Sequence, residues 1–184
     1  MSDTAARYRA VAGRFSEHVR AVPADAWGNA SPCVGWDARD IVRHLVEWFP
    51  DLLRAGAGVE LPAGPSVDTD PVAAWLALSD GVQALLDDVE LAQTPFSHPH
   101  AGGHPLEQAV AIFFVGDVLV HTWDLARATG LDETLDPAEV RAMLAGIEQY
   151  DDALRVGGQY GPRVAVPADS DEQTRLLAFL GRQP

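Results

Sequence analysis

The sequence predicts an all-α fold: a four-helix bundle with long connections and a short C-terminal extension. Three observations carry this expectation. Apolar residues recur at helical spacing in several separate stretches. The connections between them are rich in glycine and proline. No alternating strand pattern stands out beyond residues 163–166. Long amphipathic helices bury their apolar stripes by packing on one another, so a bundle follows. A chain of 184 residues fits a single domain, 1–184.

The elements follow in order. Residues 5–22 carry Val11, Phe15, Val19 and Val22 at helical spacing, and Pro23 ends the run. A loop with two tryptophans leads to Asp37, which suits an N-cap. Asp40 then falls at the third helical position, a carboxylate variant of the capping box. Ile41, Leu45 and Trp48 form the inward stripe of the second helix, with His44 beside that stripe. Residues 56–70 read as a linker. A third helix over 71–89 has Pro71 in its first turn and Trp75, Leu78, Val82, Leu85 and Leu86 on its buried face. The long central helix spans residues 106–129 and stops at Gly130. A fifth helix starts after Asp136-Pro137 and reaches about Tyr150. The tail offers one short extended piece and one final helix.

Composition narrows the function. The net charge is −14, from 27 acidic and 13 basic residues, and every basic residue is an arginine. Such a surface suits neither a phosphate backbone nor an anionic membrane. The start lacks the apolar core of a signal peptide. Asp117 interrupts the longest apolar run before it reaches the length of a membrane span. The lone Cys33 cannot make an internal disulfide. A cytoplasmic protein that binds neither nucleic acid nor membrane is expected.

The chemistry concentrates in AVAIFFVGDVLVH, residues 109–121. Asp117 lies in an otherwise apolar run, and His121 follows one helical turn later on the same face. An unpaired buried carboxylate costs several kcal/mol, roughly, so it needs a partner, a proton or a metal ion. A buried Asp–His hydrogen bond and a solvent-facing aspartate are the plain alternatives. His44, on another helix, is either a satisfied core histidine or a third ligand. Three protein ligands with one position open is the pattern of a catalytic zinc site. The mixed set also suits nickel or ferrous iron.

Other groups read more plainly. His98, His100 and His104 lie on a polar loop at the mouth of the bundle, where one could reach a metal or substrate. Trp123 and Asp124 point to faces other than that of His121, and Asp124 makes a surface pair with Arg127. Cys33 reads as a buried structural cysteine with no basic neighbour in sequence. The five tryptophans are mostly core, with a ligand pocket as their other use. No phosphate loop, nucleophile elbow or CxxC is present.

Taken together, SPCVGWDARDIVRHL, GDVLVHTWDLARATG and RLLAFLGRQP resemble a known family. They are similar to the actinobacterial proteins related to the N-terminal domain of mycothiol-dependent maleylpyruvate isomerase, within the DinB-like superfamily. The resemblance implies a DinB-like four-helix bundle holding a divalent metal through His44, Asp117 and His121. The characterised isomerase has glutamate at the acidic position and many DinB-like proteins have histidine, so Asp117 is a shorter ligand. The isomerase also carries a further C-terminal domain for which this chain has no room, so maleylpyruvate isomerisation itself is not expected. What the resemblance implies is a metal-dependent thiol transferase using mycothiol on a small electrophilic molecule. A non-catalytic metal- or ligand-binding module, as a homodimer or alone, and a metal-dependent hydrolase are the rival expectations.

Overall fold

The computed structural model describes residues 2–99, 102–147 and 161–184. Helices α1 (Asp3–Ala21), α2 (Ala38–Ala57), α3 (Pro71–Asp87) and α5 (Leu106–Thr129) form the expected bundle. Helix α5 packs on α1 and α2, and α3 closes the bundle against the same two helices. Buried Phe15, Val19, Ile41, Leu45, Phe49, Trp75, Leu85, Phe114 and Val118 fill the core. Phe49 and Phe114 stack face to face with centroids 3.9 Å apart, which ties α2 to α5 beneath the polar cluster described below.

The ends of the elements follow from local chemistry. Asp37 caps α2 by accepting from the Asp40 N–H, and the Asp40 carboxylate accepts from the Asp37 N–H in return. Asp40 also pairs with Arg43, so its carboxylate serves the helix start. Helix α2 continues through Pro50 and ends where Gly58 enters the left-handed region. Helix α3 stops at Asp87, short of the expected Val89. There Asp88 accepts from the Glu90 and Leu91 N–H groups and starts the one-turn α4 (Val89–Ala92).

Two departures from the sequence reading concern secondary structure. The histidine-bearing loop contains a hairpin, β1 (Pro95–His98) antiparallel to β2 (Gly102–Pro105), with Phe96 opposite His104. Phe96 is buried and lies against α2 at Gly56, where a Cβ would stand 2.1 Å from its ring. This close approach explains a glycine inside the last helical turn. Residues 163–166 make no strand, although the Val164 N–H donates to the Ala178 carbonyl.

Helix α5 also corrects the expectation that no run is long enough for a membrane. By length and composition alone its 24 residues suffice, with a mean hydropathy of 1.5 over the best window. Yet 72% of that window is buried inside the protein, so its apolar surface is spent on the bundle core. A π-helical turn, Val110–Phe114, interrupts it just before Asp117.

The C-terminal extension is a helix pair, α6 (Pro137–Ile147) and α7 (Glu172–Phe179), packed on each other. The expected end of the fifth helix near Tyr150 lies outside the described residues. Buried His18 fastens the end of α1 to the segment before α6, with ring nitrogens 3.0 Å from the Arg14 carbonyl and 2.8 Å from that of Asp132.

Candidate metal centre

Three of the side chains singled out by sequence meet between α2 and α5. His44 stands on the second turn of α2, and Asp117 and His121 stand one turn apart on α5. The His44 Nε2 lies 3.2 Å from Asp117 Oδ2, and the His121 Nε2 lies 3.4 Å from Asp117 Oδ1. One donor atom from each of the three residues falls within 4.8 Å of the others. Asp117 keeps 26% and His44 30% of its side-chain exposure, while His121 keeps only 5%. The cluster is therefore open on one side and closed at His121.

Aromatic rings frame it. Trp48, one turn after His44, donates its indole N–H to Asp117 Oδ2 at 3.0 Å and stacks beside the His44 ring. Trp36, half-buried just before the α2 cap, lies 5.0 Å from the His44 ring and 5.9 Å from that of His121. The other tryptophans, Trp27, Trp75 and Trp123, are buried. The alternative of a tryptophan-lined site thus applies to Trp36 and Trp48, and the remaining three belong to the interior.

Behind His121 lies a second layer. Its Nδ1 stands 2.9 Å from Asp124 Oδ2. Asp124 is completely buried. It also accepts from Arg182 Nε at 3.2 Å, from Arg182 Nη2 at 2.8 Å and from the Cys33 thiol at 3.4 Å. This overturns the surface pairing expected for Asp124. Residues three apart on a helix are neighbours, so Asp124 shares the face of His121. Arg127 instead forks onto Glu133 and lies over the Trp123 ring. Cys33 is half-buried rather than fully buried, and its basic neighbour is Arg182, 3.7 Å away and remote in sequence.

These contacts fix how the groups hold protons. Burial alone would raise the Asp117 carboxyl. The charge and hydrogen bonding of His121 and His44 outweigh it and hold the carboxyl far below the usual carboxylate range. Burial alone would lower His121. Asp117, with help from Asp124 and Cys33, pushes it well above the ordinary imidazole value. Asp124, despite its burial, is held down to about 2 by His121 and Arg182. With Nδ1–H given to Asp124, an unprotonated Nε2 of His121 would point its lone pair at a carboxylate oxygen. Two acceptors in opposition need a positive charge between them, either a proton on Nε2 or a cation.

The chain matches the family model for the mycothiol maleylpyruvate isomerase N-terminal domain over residues 8–126. The chain belongs to this family. Two uncharacterized proteins of Mycobacterium tuberculosis, from strains CDC 1551 and H37Rv, are each 30% identical to it over 91% of both chains. No solved structure matches. His44, Asp117, His121 and Asp124 all fall within the part shared with the isomerase N-terminal domain, and the helical architecture is that of a DinB-like domain.

Relative to this family region, Arg182 is an outlier. It comes from the C-terminal extension, beyond residue 126. Among the described residues, neither His98 nor His104 joins a group of converging ligand atoms. His98 packs against Phe96 and Phe113, and His100 lies outside the described residues. A surface cleft of about 280 Å³, lined in part by Thr134, Leu135, Asp171 and Glu172, shares no residue with the centre. Asp171 there caps α7 and Glu172 pairs with Arg141.

Sequence reasoning missed Asp124, Arg182, Trp36 and Trp48 as members of the site. The first had a readable signal, its i+3 spacing from His121. Trp48 had the same kind of signal, four residues from His44. For Arg182 no signal named its partners, which are distant in sequence, although Gly181 marks the turn before it.

Proposed function

We propose that this protein binds a divalent cation, zinc first, through His44, Asp117 and His121. With it the protein transfers a low-molecular-weight thiol of the mycothiol kind to a small electrophilic molecule. The observation that carries this reading is the convergence of two imidazoles and a carboxylate within 4.8 Å, where His121 already commits its other nitrogen to Asp124 at 2.9 Å. That is the carboxylate–histidine arrangement that orients metal-binding imidazoles. The donor set fits zinc, with three protein ligands and an exposed side left for another group. Nickel and ferrous iron accept the same donors. Membership of a mycothiol-related family supports the thiol.

A divalent ion bound here supplies positive charge that favours a thiolate over a thiol at neutral pH. The chain's own residues do the rest. Trp48 holds one oxygen of Asp117 and leaves the other toward His121. Asp124 fixes the ring of His121. Trp36 and Trp48 shield the imidazoles from solvent at the rim and offer apolar faces to a small organic molecule.

The test is turnover of a chlorodinitrobenzene-type electrophile by zinc-loaded protein, with and without added thiol. Thiol-dependent turnover that drops to background in Asp117→Ala is the expected result. Turnover that ignores the thiol would replace transfer with hydrolysis. Binding without turnover across a panel of electrophiles would reduce the protein to a binding module.

A further inference from the structure

We infer that Arg182 is a positioning residue for the metal centre: it pins Asp124 so that His121 presents Nε2 to the cation. The inference rests on the metal reading above and adds a requirement for the C-terminal extension, which lies outside the family region.

The geometry makes the connection specific. Leu176, Leu177, Phe179 and Leu180 are buried and fix the end of α7 in the protein. The helix then closes with paired bonds from the Gly181 N–H to the Ala178 carbonyl and from the Arg182 N–H to the Leu177 carbonyl. This is a Schellman turn, which requires a left-handed residue between helix and exit. Gly181 supplies it at φ +84°, and a Cβ there would stand 3.0 Å from Gly161 and Pro162 backbone atoms. The turn sends the Arg182 side chain inward, where it keeps 13% exposure and forks onto both oxygens of Asp124.

Without the guanidinium, Asp124 would be a fully buried carboxylate held by one imidazole and one thiol. It would then be free to rotate toward other donors and release Nδ1 of His121. Arg182 prevents this by occupying the remaining oxygen and fixing the carboxylate in place. A guanidinium is suited to this because its planar fork fixes the carboxylate plane, which an ammonium does not.

The test measures zinc and cobalt(II) affinity by competition with a chromophoric chelator. It compares wild type, Arg182→Met, Arg182→Lys and, as a remote control, Arg14→Met. Urea unfolding of each verifies that it is folded. Arg182→Met is expected to bind about 10–100-fold more weakly, the usual cost of losing an outer partner of a ligand. Arg182→Lys falls between, and the control stays at wild type. Nitrogen-15 shifts of His121 in the zinc-loaded protein supply a readout that a loss of stability alone would not move. The protonated-Nδ1 pattern of wild type is expected to weaken in Arg182→Met. Should the methionine variant not fold, the lysine variant carries the test. Wild-type affinity and unchanged shifts in a folded Arg182 variant would overturn the inference and leave the metal reading standing. Wild type that binds neither ion would sink the metal reading itself, and this inference with it.

Discussion

Asp124→Ala is expected to lower the free energy of unfolding by about 3–5 kcal/mol, the range for removing one partner of a buried ion pair. Urea unfolding would show it as a lower midpoint at unchanged slope. The cost comes from what is left behind. Arg182 loses both carboxylate oxygens while it is still only 13% exposed. His121 loses the acceptor at its Nδ1. A surface ion pair would cost under about 1 kcal/mol, so a loss that small would show that the guanidinium escapes to solvent. The double variant Asp124→Ala/Arg182→Met recovers part of the loss, because it leaves no uncompensated charge. The two substitutions are therefore non-additive. The same pair contributes to acid resistance. Asp124 titrates at about 2 in the folded protein, below an ordinary carboxylate. Its stabilisation is complete above the ordinary carboxylate range and is lost as the pH falls through about 2.

Asp117→Asn is expected to cost more metal affinity than any outer-layer change, that is, beyond the roughly 10–100-fold expected for those. The amide keeps the size of the side chain and an oxygen for the Trp48 N–H, so the loss isolates the negative charge. Competition against a chelator measures it, and an affinity within a few-fold of wild type would remove Asp117 from the ligand set. The pH dependence has a definite sign. In the metal-free protein His121 is raised well above the ordinary imidazole value, so it carries a proton at neutral pH that the ion must displace. Affinity rises with pH, by up to about tenfold per unit while His121 remains protonated. Asp117 is already ionised and does not compete.

How much of this was legible in the sequence follows from distance along the chain. The helices were readable because each buried face repeats locally, as Ile41 and Leu45 do on α2, although Trp48, read on the same stripe, is half-buried at the rim of the site. The juxtaposition of Asp117 and His121 was readable for the same reason, since one helical turn sets it. That His44 lies against them needs the packing of α2 on α5, and only the family resemblance supplied that in advance. The hairpin escaped because Pro95–His98 and Gly102–Pro105 carry almost no alternating apolar pattern. Its one buried anchor is Phe96, whose partner surface at Gly56 belongs to a different element. Asp124 was misplaced because it reads as polar beside Arg127, yet its position three residues after His121 turns it inward. The pairing of Arg182 with Asp124 spans 58 residues. No local rule reaches that far, although the glycine before Arg182 signals the turn that aims it.

The central claim is that His44, Asp117 and His121 hold one divalent ion. Equilibrium dialysis of chelator-stripped protein against zinc, followed by elemental analysis, tests it most directly. About one zinc per chain is expected in wild type, and none beyond the buffer level in the variant with alanine at all three positions. Equal zinc content in the two proteins, or none in either, would contradict it.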